Sequence, residues 1–151
     1  MTNAKQDIER LLASGKTIQI QVLSGSMYPI IRPKQDEVII EPLKSSEQLR
    51  RGEVALYRRD QSVLVLHRIF RHRDGQVFMV GDNHCEIEGP LREDQFRGIL
   101  VGIQRSGKVI SVKNPVYFVL SRLWLSLRPV RPFFWKTMAI LRKVASVFSH
   151  R

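Results

Sequence analysis

A serine hydroxyl is a poor nucleophile near neutral pH. A serine that does covalent chemistry therefore needs a base within hydrogen-bond reach, a group that orients the base, and donors for the developing oxyanion. This chain offers candidates for each role in separated pieces. The stretch "VLSGSMYPII", residues 22–31, sets Ser24, Gly25 and Ser26 straight after the alternating run "TIQIQV". Alone, such a small polar cluster is a turn. As part of a site, Ser26 is the nucleophile and Ser24 a second hydroxyl beside it. The candidate base is His67 in "SVLVLHRIF", where a period of two puts Val63, Val65, His67 and Ile69 on one strand face and Leu66 and Arg68 on the other. A histidine on an apolar face is by default a buried residue bonded to backbone. As a base it has one advantage over lysine: an unperturbed pKa of about 6.5 leaves it neutral near pH 7 without special burial. Its other ring nitrogen then wants an acceptor, and Asp82 in "VFMVGDNHCE" is the candidate. By themselves Gly81, Asp82 and Asn83 read as an ordinary loop. His84 and Cys85 beside them suggest a thiol dyad, but adjacent residues of an extended segment point apart.

The elements that must carry these residues are mostly strands. Ile8, Leu11 and Leu12 recur at helical spacing over residues 4–13, with Gly15 as a stop, so a short amphipathic helix is expected there. Runs rich in Val and Ile then follow at 17–23, 37–41, 53–58, 62–70, 76–80, 98–104 and 108–112. Short turn signals such as "RRDQ", "RDGQ" and "RSGK" between them favour antiparallel hairpins and a mainly β domain. The domain should end near Asn114. The expected organisation is an N-terminal amphipathic helix over 1–16, a β domain over 17–114 and a basic, amphipathic helical tail over 115–151. In that tail an apolar run at 116–127 and a second helical stretch at 133–148 are separated by Pro129 and Pro132, which suggests a helical hairpin. A bilayer span needs about 20 mostly apolar residues, and neither piece reaches that without an interior charge such as Arg122. An interfacial or core-capping hairpin is expected, not a transmembrane anchor.

Charge is divided along the chain. Residues 1–94 hold 14 Lys and Arg against 14 Asp and Glu, whereas residues 95–151 hold 11 basic residues and no acidic one. The whole net charge of +11 therefore sits in the last third, as expected of a compact domain followed by a surface-seeking segment. The lone Cys85 excludes an intrachain disulfide framework and a multi-cysteine zinc site, which suits a reducing compartment. The opening "MTNAKQDIERLLASG" lacks the charged-then-apolar arrangement of a secretory signal, so no export is expected.

Taken in order, "SGSMYP", "GEVALYRR", "LVLHRIF", "VFMVGDN" and "RGILVGIQ" resemble the type I signal peptidases. The likeness is greatest to the endoplasmic-reticulum and archaeal-type branch, in which histidine replaces the lysine base. The resemblance covers roughly residues 20–104. It implies a folded antiparallel β-sheet assembly of the signal peptidase and LexA-like type, with the short N-terminal helix and C-terminal helical hairpin as additions. It implies a serine endopeptidase that cleaves an extended signal, leader or precursor peptide without metal or other cofactor. Position by position, Ser26 matches the nucleophile, with its backbone N–H helping to bind the oxyanion. Ser24 matches the second oxyanion donor, His67 the general base and Asp82 the aspartate of the glycine-aspartate-asparagine segment. Met27 and Pro29 shape the turn.

Two departures bear on function. Histidine-type relatives carry further aspartates after that segment, whereas here the loop reads "HCEIEGPL", offering Glu86 or Glu88 with one methylene more. The relatives are also membrane-anchored, whereas this sequence shows no span. The expectation is a cytoplasmic precursor-processing protease, peripheral on an anionic inner membrane face through residues 115–151. The competing class is a non-catalytic peptide-binding module on the same fold. A LexA-like self-cleaving regulator would want a helix-turn-helix domain and a lysine base. Nucleic acid is not an expected partner, because the aromatic and basic residues of the tail interleave at helical spacing without a platform fold.

Overall fold

The computed structural model of the chain describes residues 2–59, 63–133 and Thr137. A helix, α1 (Thr2–Ala13), leads into β1 (Ile18–Gln21), β2 (Asp36–Pro42), β3 (Val54–Arg59), β4 (Val63–Arg73), β5 (Gln76–Val80), β6 (Ile87–Leu91), β7 (Phe96–Arg105) and β8 (Lys108–Ser111). A second helix, α2 (Pro115–Ser126), follows. The eight strands form one sheet in the order β1-β2-β7-β3-β4-β5-β6, with β8 on β7. Every pairing is antiparallel. Long β7 organises it: β2 runs along one edge, while β3 pairs with its first half and β8 with Gly102 to Arg105. β2 can approach because Gly98 has no side chain; a Cβ there would come within 2.6 Å of Ile40.

The sheet is buried on both faces where β3 runs. Val54 and Leu56 join one core with Leu12 of α1 and Met27 and Ile31 of the segment after β1. Ala55 and Tyr57 join the other, with Ile69, Met79 and Phe96. A strand covered on both sides reads as a continuous apolar run, as "VALY" does. β4 behaves alike: Arg68, on the face opposite His67, is buried rather than solvated.

The expected strands are present with shifted ends, and β6 is an addition. "IEGPL" carries Gly89 and Pro90 in mid-run, which masks a strand in sequence; a place at the end of the sheet order tolerates them, since no ladder is needed on the outer side. Asn114 caps α2, its side chain accepting from the amides of Val116 and Tyr117, with Pro115 in the first turn, where its missing N–H costs nothing. α2 rests on the β domain. Ser121 and Leu125 are buried, Tyr117 packs on the first core, and the Trp124 indole donates to the Asp82 carbonyl at 2.8 Å. The second helical stretch expected at 133–148 lies outside the described residues, apart from Phe133 and Thr137. Among the described residues no helix is long and apolar enough to cross a membrane.

Candidate active site

β1 ends at Gln21, but the chain stays beside β2 for one more step, Val22 donating to the Asp36 carbonyl at 3.1 Å. It then turns through residues 24–31, closed by Tyr28 N–H on the Gly25 carbonyl and Ile31 N–H on the Met27 carbonyl. Met27, 1% exposed, drives its side chain into the first core and so pins the turn from below. The hydroxyls of Ser24 and Ser26 are left side by side above it, 3.2 Å apart.

The second piece arrives from β4. Ala55 of β3 stands opposite His67, and Tyr57 opposite Val65, so Tyr57 and His67 are diagonal neighbours on one sheet face. Their ring centroids are 6.0 Å apart. The third piece is the loop after β5. Its Asn83 amide donates to the Ser26 carbonyl at 2.8 Å. Gly81 lies between serine and histidine: a Cβ on it would fall 2.8 Å from the Ser26 carbonyl oxygen and 3.2 Å from Nε2 of His67. Those two atoms are thus at most about 6 Å apart, and only a glycine leaves the space between them open.

Ser24, Ser26 and His67 all line one cavity of about 450 Å³, with His84 at its edge and an apolar wall that includes Ile20, Val38, Leu56 and Leu66. His67 is 4% exposed. Burial pulls its pKa down to about 4, aided by the nearby Arg59 and His84 and opposed by Glu88 and Asp82. The ring is therefore neutral at pH 7, the form a general base requires.

Asp82 does not join them. Both its oxygens accept from Arg68, Nε at 2.8 Å and the terminal nitrogen at 2.6 Å, and both residues are wholly buried. Arg68 also donates to the Gly52 carbonyl at 2.7 Å. The orienting role expected of Asp82 is thus not the one its carboxylate fills: it neutralises a buried guanidinium and anchors the loop. The physical reason is alternation along β4, which turns Arg68 to the face opposite His67 and gives Asp82 a nearer, fully charged partner.

His67 Nδ1 meets Tyr57 Oη at 3.1 Å instead. That phenol donates to Glu88 Oε2 at 2.7 Å, and Glu88 is clamped by Arg59, whose Nε reaches Oε1 at 2.6 Å. The loop "HCEIEGPL" offers Glu88 in the sequence, whereas nothing in the apolar run "VALY" singles out Tyr57. Its only signal was register, for with β3 and β4 paired across their short connection Tyr57 falls diagonal to His67. Among the described residues no group of three or more His, Cys, Asp and Glu side chains is arranged to hold a metal ion.

No model of a known protein family matches the chain, and no curated protein matches its sequence.

Proposed function

We propose that this protein is a serine endopeptidase of signal-peptidase type that cleaves an extended signal, leader or precursor peptide. The observation that carries this is that Ser24, Ser26 and a neutral, buried His67 line one apolar-walled cavity. The motifs that resemble the type I signal peptidases, and a mainly β antiparallel sheet, support it further.

In this mechanism Ser26 Oγ attacks the scissile carbonyl carbon as His67 Nε2 takes the hydroxyl proton. The oxyanion is held by the Ser24 hydroxyl and the Ser26 amide. His67 passes its proton to the leaving amine, the C–N bond breaks, and a water activated by the same imidazole releases the acyl group. Loss of one oxyanion donor in Ser24→Ala should lower kcat on the order of 10²–10³-fold.

The test is incubation with a randomised library of extended peptides, followed by mass spectrometry of the products. Cleavage at a defined sequence, abolished in Ser26→Ala and His67→Asn, is expected. Cleavage unchanged in Ser26→Ala would remove the mechanism. Peptide binding without cleavage by the wild type would leave the non-catalytic module, which the altered loop after Asn83 favours.

The same proposal seats the protein on an anionic membrane surface. The outward side of α2 and the segment after it exposes Val116, Val119, Leu123, Leu127, Val130 and Phe133. No acidic residue occurs from position 95 onward, so the charge around this apolar stripe complements anionic lipid headgroups.

A further inference from the structure

We propose that Tyr57 and Glu88 are the positioning residues of His67, fixing it as the Nδ1–H tautomer so that Nε2, the nitrogen on the Ser26 side, is the basic one. This rests on the Ser26 and His67 roles proposed above and gives the third function of the site to a phenol and a glutamate rather than to Asp82.

The geometry assigns every proton. Glu88 Oε2 is 3.6 Å from His67 Nδ1, too far for a direct hydrogen bond, and the Tyr57 oxygen bridges the two at 2.7 Å and 3.1 Å. Arg59 holds Glu88 from its other side, and with Tyr57 keeps its carboxyl below the usual range even though burial works the other way. An ionised carboxylate accepts only, so the phenol proton points at Glu88. Burial, together with Glu88, pushes the Tyr57 pKa up, so that proton stays in place. The phenol then has only a lone pair to offer the imidazole, and Nδ1 must carry the hydrogen. Nε2 is left with its lone pair toward Gly81 and the Ser26 turn.

The other charged or titratable groups around the ring do not take this role. His84 stands edge-on to His67 with centroids 6.0 Å apart, Arg59 repels a proton on it, and Asp82 is committed to Arg68. When His67 takes the Ser26 proton, the imidazolium keeps Nδ1–H on the phenol and gains the Glu88 charge behind it. A carboxylate on the histidine serves the same end in a serine triad; here a phenol is interposed.

The experiment reads the tautomer directly, by long-range proton–nitrogen correlation on the ¹⁵N-labelled full chain at pH 7. In the wild type, His67 Nδ1 should give the shift of a protonated nitrogen and Nε2 that of an unprotonated one. Tyr57→Phe keeps the ring and removes the acceptor, so the two nitrogens should move to averaged or inverted shifts, with kcat lowered about 10²-fold or more and KM little changed. If Tyr57→Phe does not fold, Glu88→Gln is the second variant: with a neutral neighbour the phenol proton is no longer held away from His67, and the same change is expected. An unprotonated Nδ1 in the wild type, or wild-type shifts in a folded Tyr57→Phe or Glu88→Gln protein, overturns the proposal. No substrate is needed, and the spectrum can be taken in Ser26→Ala. Absence of peptide cleavage would therefore count against the peptidase role and not against the tautomer, which separates the two.

Discussion

The Asn83 amide donates to the Ser26 carbonyl at 2.8 Å, so the turn bearing Ser26 hangs on the loop that follows β5. That loop is in turn held from beneath by a cation. Arg131, 1% exposed, donates to the carbonyls of Gly81 at 3.1 Å, His84 at 2.9 Å and Trp124 at 2.8 Å, and its guanidinium lies over the Trp124 ring. The basic C-terminal segment therefore has an internal role: one of its arginines fixes the position of Ser26 through two intermediates.

Arg131→Met should accordingly loosen the loop before it unfolds the domain. Charged hydrogen bonds are worth about 1.5–3 kcal/mol each and do not add fully, so a global loss of about 2–4 kcal/mol is expected. Amide hydrogen exchange gives the sharper check. The Asn83 N–H should lose protection in the variant while amides of β3 and β7 keep theirs; unchanged protection at Asn83 would contradict the buttress.

Asp82 is predicted to matter for stability. Asp82→Asn leaves the Arg68 guanidinium buried without its counter-charge, and breaking one side of such a pair costs about 3–5 kcal/mol. Urea unfolding should show that loss. At a temperature where the variant is still folded, the His67 tautomer should match the wild type, which an orienting role for Asp82 would not allow.

The pH dependence follows from His67. Its pKa of about 4 in the folded chain lies below the unfolded value, so the acid limb of kcat/KM should fall near pH 4 and activity should be flat from about pH 5 to neutrality. For stability, between those two values the unfolded chain binds a proton that the native one refuses, so stability falls as pH drops through this window. The depressed pKa makes the loss up to about 3 kcal/mol, complete below pH 4, with no slope from this group above pH 6.5. Urea midpoints at pH 7 and pH 4.5 for wild type and His67→Asn test it: the variant should lose less on acidification.

Much of this was legible in the sequence, and the parts that were not have physical causes. The facing of His67 on β4 was legible from the position it shares with Val63, Val65 and Ile69, although the strand is buried on both faces from His67 to Ile69. The small residues of "LSGS" marked the turn, and Ser24, Ser26 and His67 do share a cavity. β6 was hidden because Gly89 and Pro90 speak against a strand unless its place at the sheet margin is known. Alternation puts Arg68 on the face opposite His67, but sequence order does not say that the loop after β5 brings Asp82 to that guanidinium, so the choice among Asp82, Glu86 and Glu88 stays open in the sequence. Tyr57 was invisible for a related reason: which residue of β3 lies diagonal to His67 depends on register, and "VALY" is apolar on both faces.

The outward stripe of α2 is predicted to bind lipid. Sedimentation with vesicles containing an anionic phospholipid should pull down the protein, and vesicles of phosphatidylcholine alone should not. Leu123→Asp, at a position 54% exposed, should abolish the association without lowering stability. Equal binding to both vesicles, or none to either, would leave the stripe to the rest of the tail or to a protein partner.

Acylation of Ser26 Oγ with His67 as its base is read by intact-protein mass spectrometry after rapid acid quench of a reaction with an activated peptide ester. The predicted result is one acyl adduct per chain, mapped to Ser26, absent in Ser26→Ala and slowed at least 10²-fold in His67→Asn. An adduct mapped elsewhere, or one that forms equally fast in His67→Asn, would contradict it.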